Sequence, residues 1–176
     1  MTRRAFSTVL LSALPLLAAG GAGLKWAVPE NWAQQSQRPM RLATYTVPAA
    51  KGDREPGEFA VFYFGQGQGG TVDANLDRWI GQFTQSDGRA SKDAAKIEHG
   101  QIHGLKVTTV DVSGTYNGMG GPMQPVGKPA PGYRLLGAII EGPEGLVFFK
   151  LTGSVKTVTE NEGQYHKILA SLTPGQ

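Results

Sequence analysis

The sequence predicts an α+β fold, an antiparallel β-sheet flanked by helices. Three observations carry this. Short runs rich in Val, Phe, Tyr and Thr are separated by glycine and proline turns. Two stretches, around Val72 to Phe83 and Tyr165 to Leu172, repeat apolar residues at helical spacing. Gly142-Pro143-Glu144-Gly145 separates two apolar runs, as a hairpin turn does.

A leader comes before these elements. Met1-Thr2-Arg3-Arg4-Ala5-Phe6-Ser7 is basic, Val9 to Ala19 is mostly apolar, and Ala18-Ala19-Gly20-Gly21-Ala22-Gly23 is small. That order reads as an export signal over residues 1–23, too short in its apolar part for a permanent span. The expected location is periplasmic or secreted after cleavage near Leu24. The adjacent arginines leave both the Sec and the twin-arginine routes open. The alternative reading of this segment is a buried N-terminal helix.

Residues 24–176 form one domain of 153 residues, enough for a hydrophobic core. The chain has no cysteine, which excludes a disulfide, a thiol nucleophile and a lipidated cysteine after the signal. Its formal charge of +3 includes Arg3 and Arg4, so the mature domain is close to neutral. No basic cluster is left to grip nucleic acid, and no stable transmembrane anchor is expected.

The first mature segment holds Trp26 and Val28, a turn at Pro29-Glu30-Asn31, and Trp32 as an anchor to the core. Met40 to Val47 alternates as a strand and stops at Pro48. Ala49 to Gly57 is a charged loop. Glu58 to Phe64 is apolar on both faces, as expected of a central strand. Gly65-Gln66-Gly67-Gln68-Gly69-Gly70 then leads into a helix from Val72 to Thr84, with Thr71 as its cap and Asp73 in its first turn. Ser86-Asp87-Gly88 is its expected end.

Residues 89–96 are polar and carry no clear period. Ile97 to Val112 reads as two strands or one bent strand. Leu105 and Val107 keep one phase and Val110 and Val112 the other, which suggests a bulge or bend. Gly114 to Gly132 has six glycines and four prolines in nineteen residues and is expected to be a functional or mobile loop. Tyr133 to Glu141 and Leu146 to Thr152 are the strands of the hairpin. The last helix starts at a capping box around Thr157 and Glu160, or one turn earlier at Ser154, and ends near Leu172 before Pro174-Gly175.

Several phrases occur together: Trp26-x-x-Pro29-x-x-Trp32, Met40-Arg41-x-Ala43-x-Tyr45-x-Val47-Pro48, Phe64-Gly65-x-Gly67-x-Gly69-Gly70, Asn75-x-x-Arg78-Trp79-x-x-Gln82-Phe83 and Phe149-Lys150-Leu151-Thr152-Gly153. Together they resemble an uncharacterised family of exported bacterial proteins. The order of elements is similar to the PsbP-like α/β/α sandwich, the fold of the photosystem extrinsic protein PsbP and of the Ran-binding nuclear transport factor. The resemblance covers residues 24–172. It implies a binding or assembly factor, and no segment matches a photosystem-binding sequence.

The residues support no catalytic set. There is no Gly-x-Ser-x-Gly, Ser113 and Asp111 have no argued histidine beyond the distant His166, and Asp53 and Glu55 sit among Lys51 and Arg54. The glycine segment at 65–70 lies between strand and helix but lacks a phosphate-loop Gly-Lys-Ser/Thr, so a tight turn is expected. His99 and His103, four residues apart on one strand, would stand roughly 13 Å apart. With Met119 and Met123 they are the weak candidates for a copper site.

The expected function is therefore a non-enzymatic binding or assembly domain with a protein or small-ligand partner in the cell envelope and no cofactor. The alternatives are a periplasmic copper protein and a hydrolase with a non-obvious active site. The expected contact surface combines Asn75, Arg78 and Gln82, spaced to line one ridge of the helix, with Tyr116, Asn117, Met119 and Met123 of the long loop.

Overall fold

The computed structural model describes residues 16–118 and 128–175. Its main sheet has eight strands. These are β3 (Ala33–Gln34), β4 (Arg41–Val47), β5 (Gly57–Tyr63), β6 (Phe83–Thr84), β7 (Lys96–Ile102), β8 (Leu105–Tyr116), β9 (Ala130–Gly142) and β10 (Gly145–Ser154). The order across the sheet is β3-β4-β5-β10-β9-β8, and β6 and β7 both pair with the far side of β8, at opposite ends. Every pairing is antiparallel. A smaller sheet joins β1 (Leu16–Gly21), β2 (Leu24–Pro29) and β11 (Thr173–Pro174). The helices are α1 (Val72–Ile80), α2 (Ser91–Ala94) and α3 (Val155–Ala170).

The sheet is covered on both faces, and alternation along β10 shows how. Val147, Phe149 and Leu151 enter a core cluster with Trp26, Phe59, Tyr165, Ile168 and Leu172, beneath α3 and β2. Phe148 enters a second cluster with Leu76, Trp79, Ile80 and Ile139, beneath α1. Full burial of each such aromatic contributes roughly 2–3 kcal/mol. The result is the α/β/α sandwich expected from the sequence.

Several local expectations are corrected. α1 ends at Ile80, with Gly81 as its C-cap, and Phe83 is not on its stripe. Phe83 pairs instead with Tyr116 as strand β6. α2 occupies part of the uncertain 89–96 stretch. Residues 97–112 are two strands, the first of the two readings, with a turn between them in place of a bulge: His103 and Gly104 have φ of 47° and 81° and join β7 to β8. Positive φ at both centre residues is what a tight hairpin of this hand requires. The phase change along β8 is real, yet its pairing with β9 runs unbroken from Lys106 to Gly114. Leu105 and Val107 serve one core cluster and Val110 and Val112 the other. The register shift falls later, between Gly114 and Tyr116.

β8 and β9 also extend into the expected loop, to Tyr116 on one side and from Ala130 on the other. Met119 and Met123 lie outside the described residues. α3 starts at the earlier of its two expected sites. The Ser154 hydroxyl accepts the Thr157 amide at 3.0 Å, and Thr157 is buried inside the helix. Residues 1–15 of the expected leader lie outside the described residues, and Leu16–Gly21 forms an exposed strand along β2.

Candidate functional site

One cross-strand row on the α1 face runs Thr44, Ala60, Lys150, Gly137, Val110. Lys150 stands at its middle, in the central strand, flanked by the small residues Ala60 and Gly137. The space over Gly137 is filled by the Trp79 indole: a Cβ there would lie 2.5 Å from the ring. Lys150 is thus walled by α1 on one side and only 5% exposed.

Its ammonium donates to Gln82 Oε1 at 2.7 Å and approaches the Tyr116 hydroxyl at 3.4 Å. It also lies 5.5 Å from the centre of the Tyr116 ring. Tyr116 stacks on Tyr133 with ring centres 6.0 Å apart and planes 4° apart, and its other neighbour is Phe83 at 5.1 Å. Burial pushes the Lys150 ammonium down to about 7, opposed by the charge of Glu58 and reinforced by those of Arg78 and Arg41. Burial likewise raises both tyrosines above their usual range, so they remain hydroxyl donors.

Glu58 does not reach Lys150 as a partner. Its two oxygens accept from Arg41 at 2.8 Å and from Arg38 at 3.3 Å. Arg41 in turn lies 5.0 Å over the Phe62 ring. The half of the sheet face beyond α1 is therefore lined by Arg41, Lys150, Gln82, Tyr116 and Tyr133. Four cations, Arg38, Arg41, Arg78 and Lys150, lie around Glu58 and Lys150 there.

The expected contact residues fall into two groups. Gln82, Tyr116 and Asn117 come together, and Asn117 N donates to Gln82 O at 2.8 Å. Gln82 does this from the turn after α1, not from the helix ridge. Asn75 is not a surface residue. It is 1% exposed, and its amide donates to Gly69 O at 2.8 Å and Thr71 O at 2.7 Å, closing the glycine segment. Arg78 is exposed and donates to Asn75 Oδ1. Lys150 and Tyr133 were missed. The available signal was a lone lysine inside Val147-Phe148-Phe149-Lys150-Leu151, at a position whose neighbours are all core.

The other candidates are not assembled. The glycine segment is a packed turn in which a Cβ on Gly69, at φ 92°, would meet the Phe64 ring at 2.9 Å and the Phe148 ring at 3.2 Å. His99 Nδ1 is 3.0 Å from Thr108 Oγ1, and His103 Nδ1 is 2.7 Å from Leu172 O, so each has its own partner. His103 is in the hairpin turn and not on a strand with His99. Among the described residues no three His, Asp or Glu side chains are grouped to share a metal ion. Asp111 gives both carboxylate oxygens to Arg134, at 2.9 and 2.7 Å, and none to a histidine. Asp53 accepts from the Ser154 and Thr157 hydroxyls at the start of α3. No helix among the described residues is long and apolar enough to cross a membrane.

No protein-family model matches the sequence, and no curated protein matches it either. Solved structures do. Cyanobacterial PsbP (CyanoP) from Synechocystis sp. PCC 6803 aligns with a TM-score of 0.53 at 12% identity, over 96% of this chain and 98% of its own. A Pseudomonas aeruginosa protein of unknown function (PA94), with a regulatory role suggested for it, aligns with a TM-score of 0.50 at 15% identity, over 92% and 98%. These likenesses establish the fold, a PsbP-like α/β/α sandwich.

Proposed function

We propose that the protein is an exported, non-enzymatic recognition domain whose ligand or partner seats on the sheet face beyond α1. One observation carries this reading. Lys150 is buried in the central strand next to a neutral amide and a tyrosine hydroxyl, with Arg41, Tyr116 and Tyr133 at the more open rim. A buried ammonium without a carboxylate is costly, and such groups cluster where a protein binds something. The leader-like sequence of residues 1–23 supports an extracytoplasmic place of work.

The test is native mass spectrometry of the chain isolated gently from its own host, as wild type and as Tyr116→Ala. Extra mass on the wild type that the variant loses supports the reading. Equal extra mass on both places recognition elsewhere, and a bare mass for both contradicts stable binding. N-terminal sequencing of the same material tests export and cleavage near Leu24. An intact Met1 in the envelope fraction, or a wholly cytoplasmic chain, would contradict it.

A further inference from the structure

We propose that this face takes a carboxylate, seated against Lys150, with the planar or apolar part of the same ligand lying along the Tyr116–Tyr133 pair. The inference rests on the recognition reading above and adds the chemistry of what is recognised.

Lys150 faces Arg41 from β4, Glu58 from β5, Arg78 from α1 and Tyr116 from β8. Tyr133 of β9 stacks on Tyr116, with the charges of Glu55 and Asp53 acting on its far side. Glu58 is the carboxylate that acts on Lys150, and Arg41 and Arg38 occupy both of its oxygens. The Lys150 ammonium is left with Gln82 Oε1 and the more distant Tyr116 hydroxyl, both neutral. Arg41 and Arg78 beside Lys150 outnumber Glu58, whose charge is already engaged, and the Lys150 amine itself is poorly hydrated. An incoming anion there gains more than it would in water. The stacked tyrosines beside it offer an apolar plane with hydroxyl donors, which suits a flat group attached to the anion.

Seating an anion favours the protonated amine, so binding and protonation of Lys150 are linked. Affinity is then greatest below neutral pH and falls as pH rises through the range in which free Lys150 loses its proton.

The full chain, labelled at its lysine side chains and backbone amides, is titrated by NMR with benzoate, with its neutral analogue benzamide, and with a blocked Phe-Glu dipeptide against blocked Phe-Gln. Benzoate is expected to shift the Lys150, Gln82 and Tyr116 signals saturably. Its affinity should be at least about tenfold higher than that of benzamide, and at least about tenfold higher at pH 6 than at pH 9. Lys150→Met should lose about tenfold or more in affinity, and Arg41→Gln, which leaves the central strand intact, a smaller factor in the same direction. Binding of the Phe-Glu dipeptide alone would mean that the carboxylate comes from a protein segment, which also supports the proposal. Equal binding of charged and neutral probes would overturn the carboxylate inference while leaving the face as a recognition surface. No shift at Lys150 with either acid would overturn the inference outright, and the mass-spectrometric test of the recognition reading would still stand separately.

Discussion

Lys150 Nζ donates to Gln82 Oε1 at 2.7 Å, joining the middle of the central strand to the turn that follows α1. The two residues are 68 positions apart, and neither is exposed. This bond ties the turn after α1 to the middle of the sheet.

A pH dependence follows from the buried amine. Folded Lys150 holds its proton less well than it does in the unfolded chain, because burial depresses it to about 7. Between about 7 and the ordinary lysine range near 10.4 the unfolded chain therefore binds more protons, and stability rises with pH. The slope is at most about 1.4 kcal/mol per pH unit. Tyr45, Tyr116, Tyr133 and Tyr165, all raised by burial, act oppositely once the unfolded tyrosines ionise, so the window closes as pH approaches about 10. Urea unfolding between pH 7 and 9 should show the rise in the wild type and a flatter profile in Lys150→Met. Parallel profiles would contradict the assignment.

Gly137→Ala should destabilise. The new methyl would meet the Trp79 ring at 2.5 Å and Val110 Cγ1 at 2.9 Å, so the indole has to leave its seat. Overpacking of this kind costs about 1–3 kcal/mol. Denaturant unfolding followed by tryptophan fluorescence reads both the loss and the altered environment. An unchanged midpoint would mean that Trp79 is not packed as described.

Arg134 clamps α3 to the sheet. It bonds Asp111 on β8 and, at 2.8 and 3.1 Å, Glu162 on α3, with Thr159 also at 3.0 Å. Its hydrogen bonds hold the Glu162 carboxyl below the usual carboxylate range. That contribution is present above the unfolded glutamate range and is lost as pH falls through the lowered value. Arg134→Met, whose carboxylate partners are a third exposed, should cost about 1–2 kcal/mol at neutral pH and soften the acid transition. Equal acid midpoints with and without Arg134 would remove the clamp from the account.

Asn75 and Arg78 should separate cleanly. Asn75→Ala leaves Gly69 O without its donor, while Thr71 O keeps the backbone amide of residue 75, and should lose about 2 kcal/mol. Arg78→Ala, at an exposed position, should lose under about 1 kcal/mol. Lost ligand binding in Arg78→Ala at unchanged stability would make Arg78 part of the contact surface. A large stability loss would make it part of the Asn75 network.

The sheet, the two main helices and the cap at Thr71 were legible because they rest on local periods and turn chemistry. The end of α1 was not, since Phe83 continues the helical spacing and only its pairing with Tyr116, 33 residues on, makes it a strand. Asn75 read as a residue of the contact ridge for the same reason: its partners are loop carbonyls, whose positions depend on the glycine turn. Gln82 and Tyr116 were found, but Lys150 was not. A lysine in an apolar strand ordinarily carries its charge to water. Its burial depends on Ala60 and Gly137 in neighbouring strands and on Gln82 beyond a helix, all distant in the chain.

The most direct test of the account is the titration of the Lys150 ε-amine itself, followed by NMR of the lysine side chains with Lys150→Met to assign the signal. A midpoint near 7 that rises when benzoate is added is the result the account predicts. A midpoint at the ordinary lysine value, unmoved by benzoate, would show a solvated side chain and contradict the site.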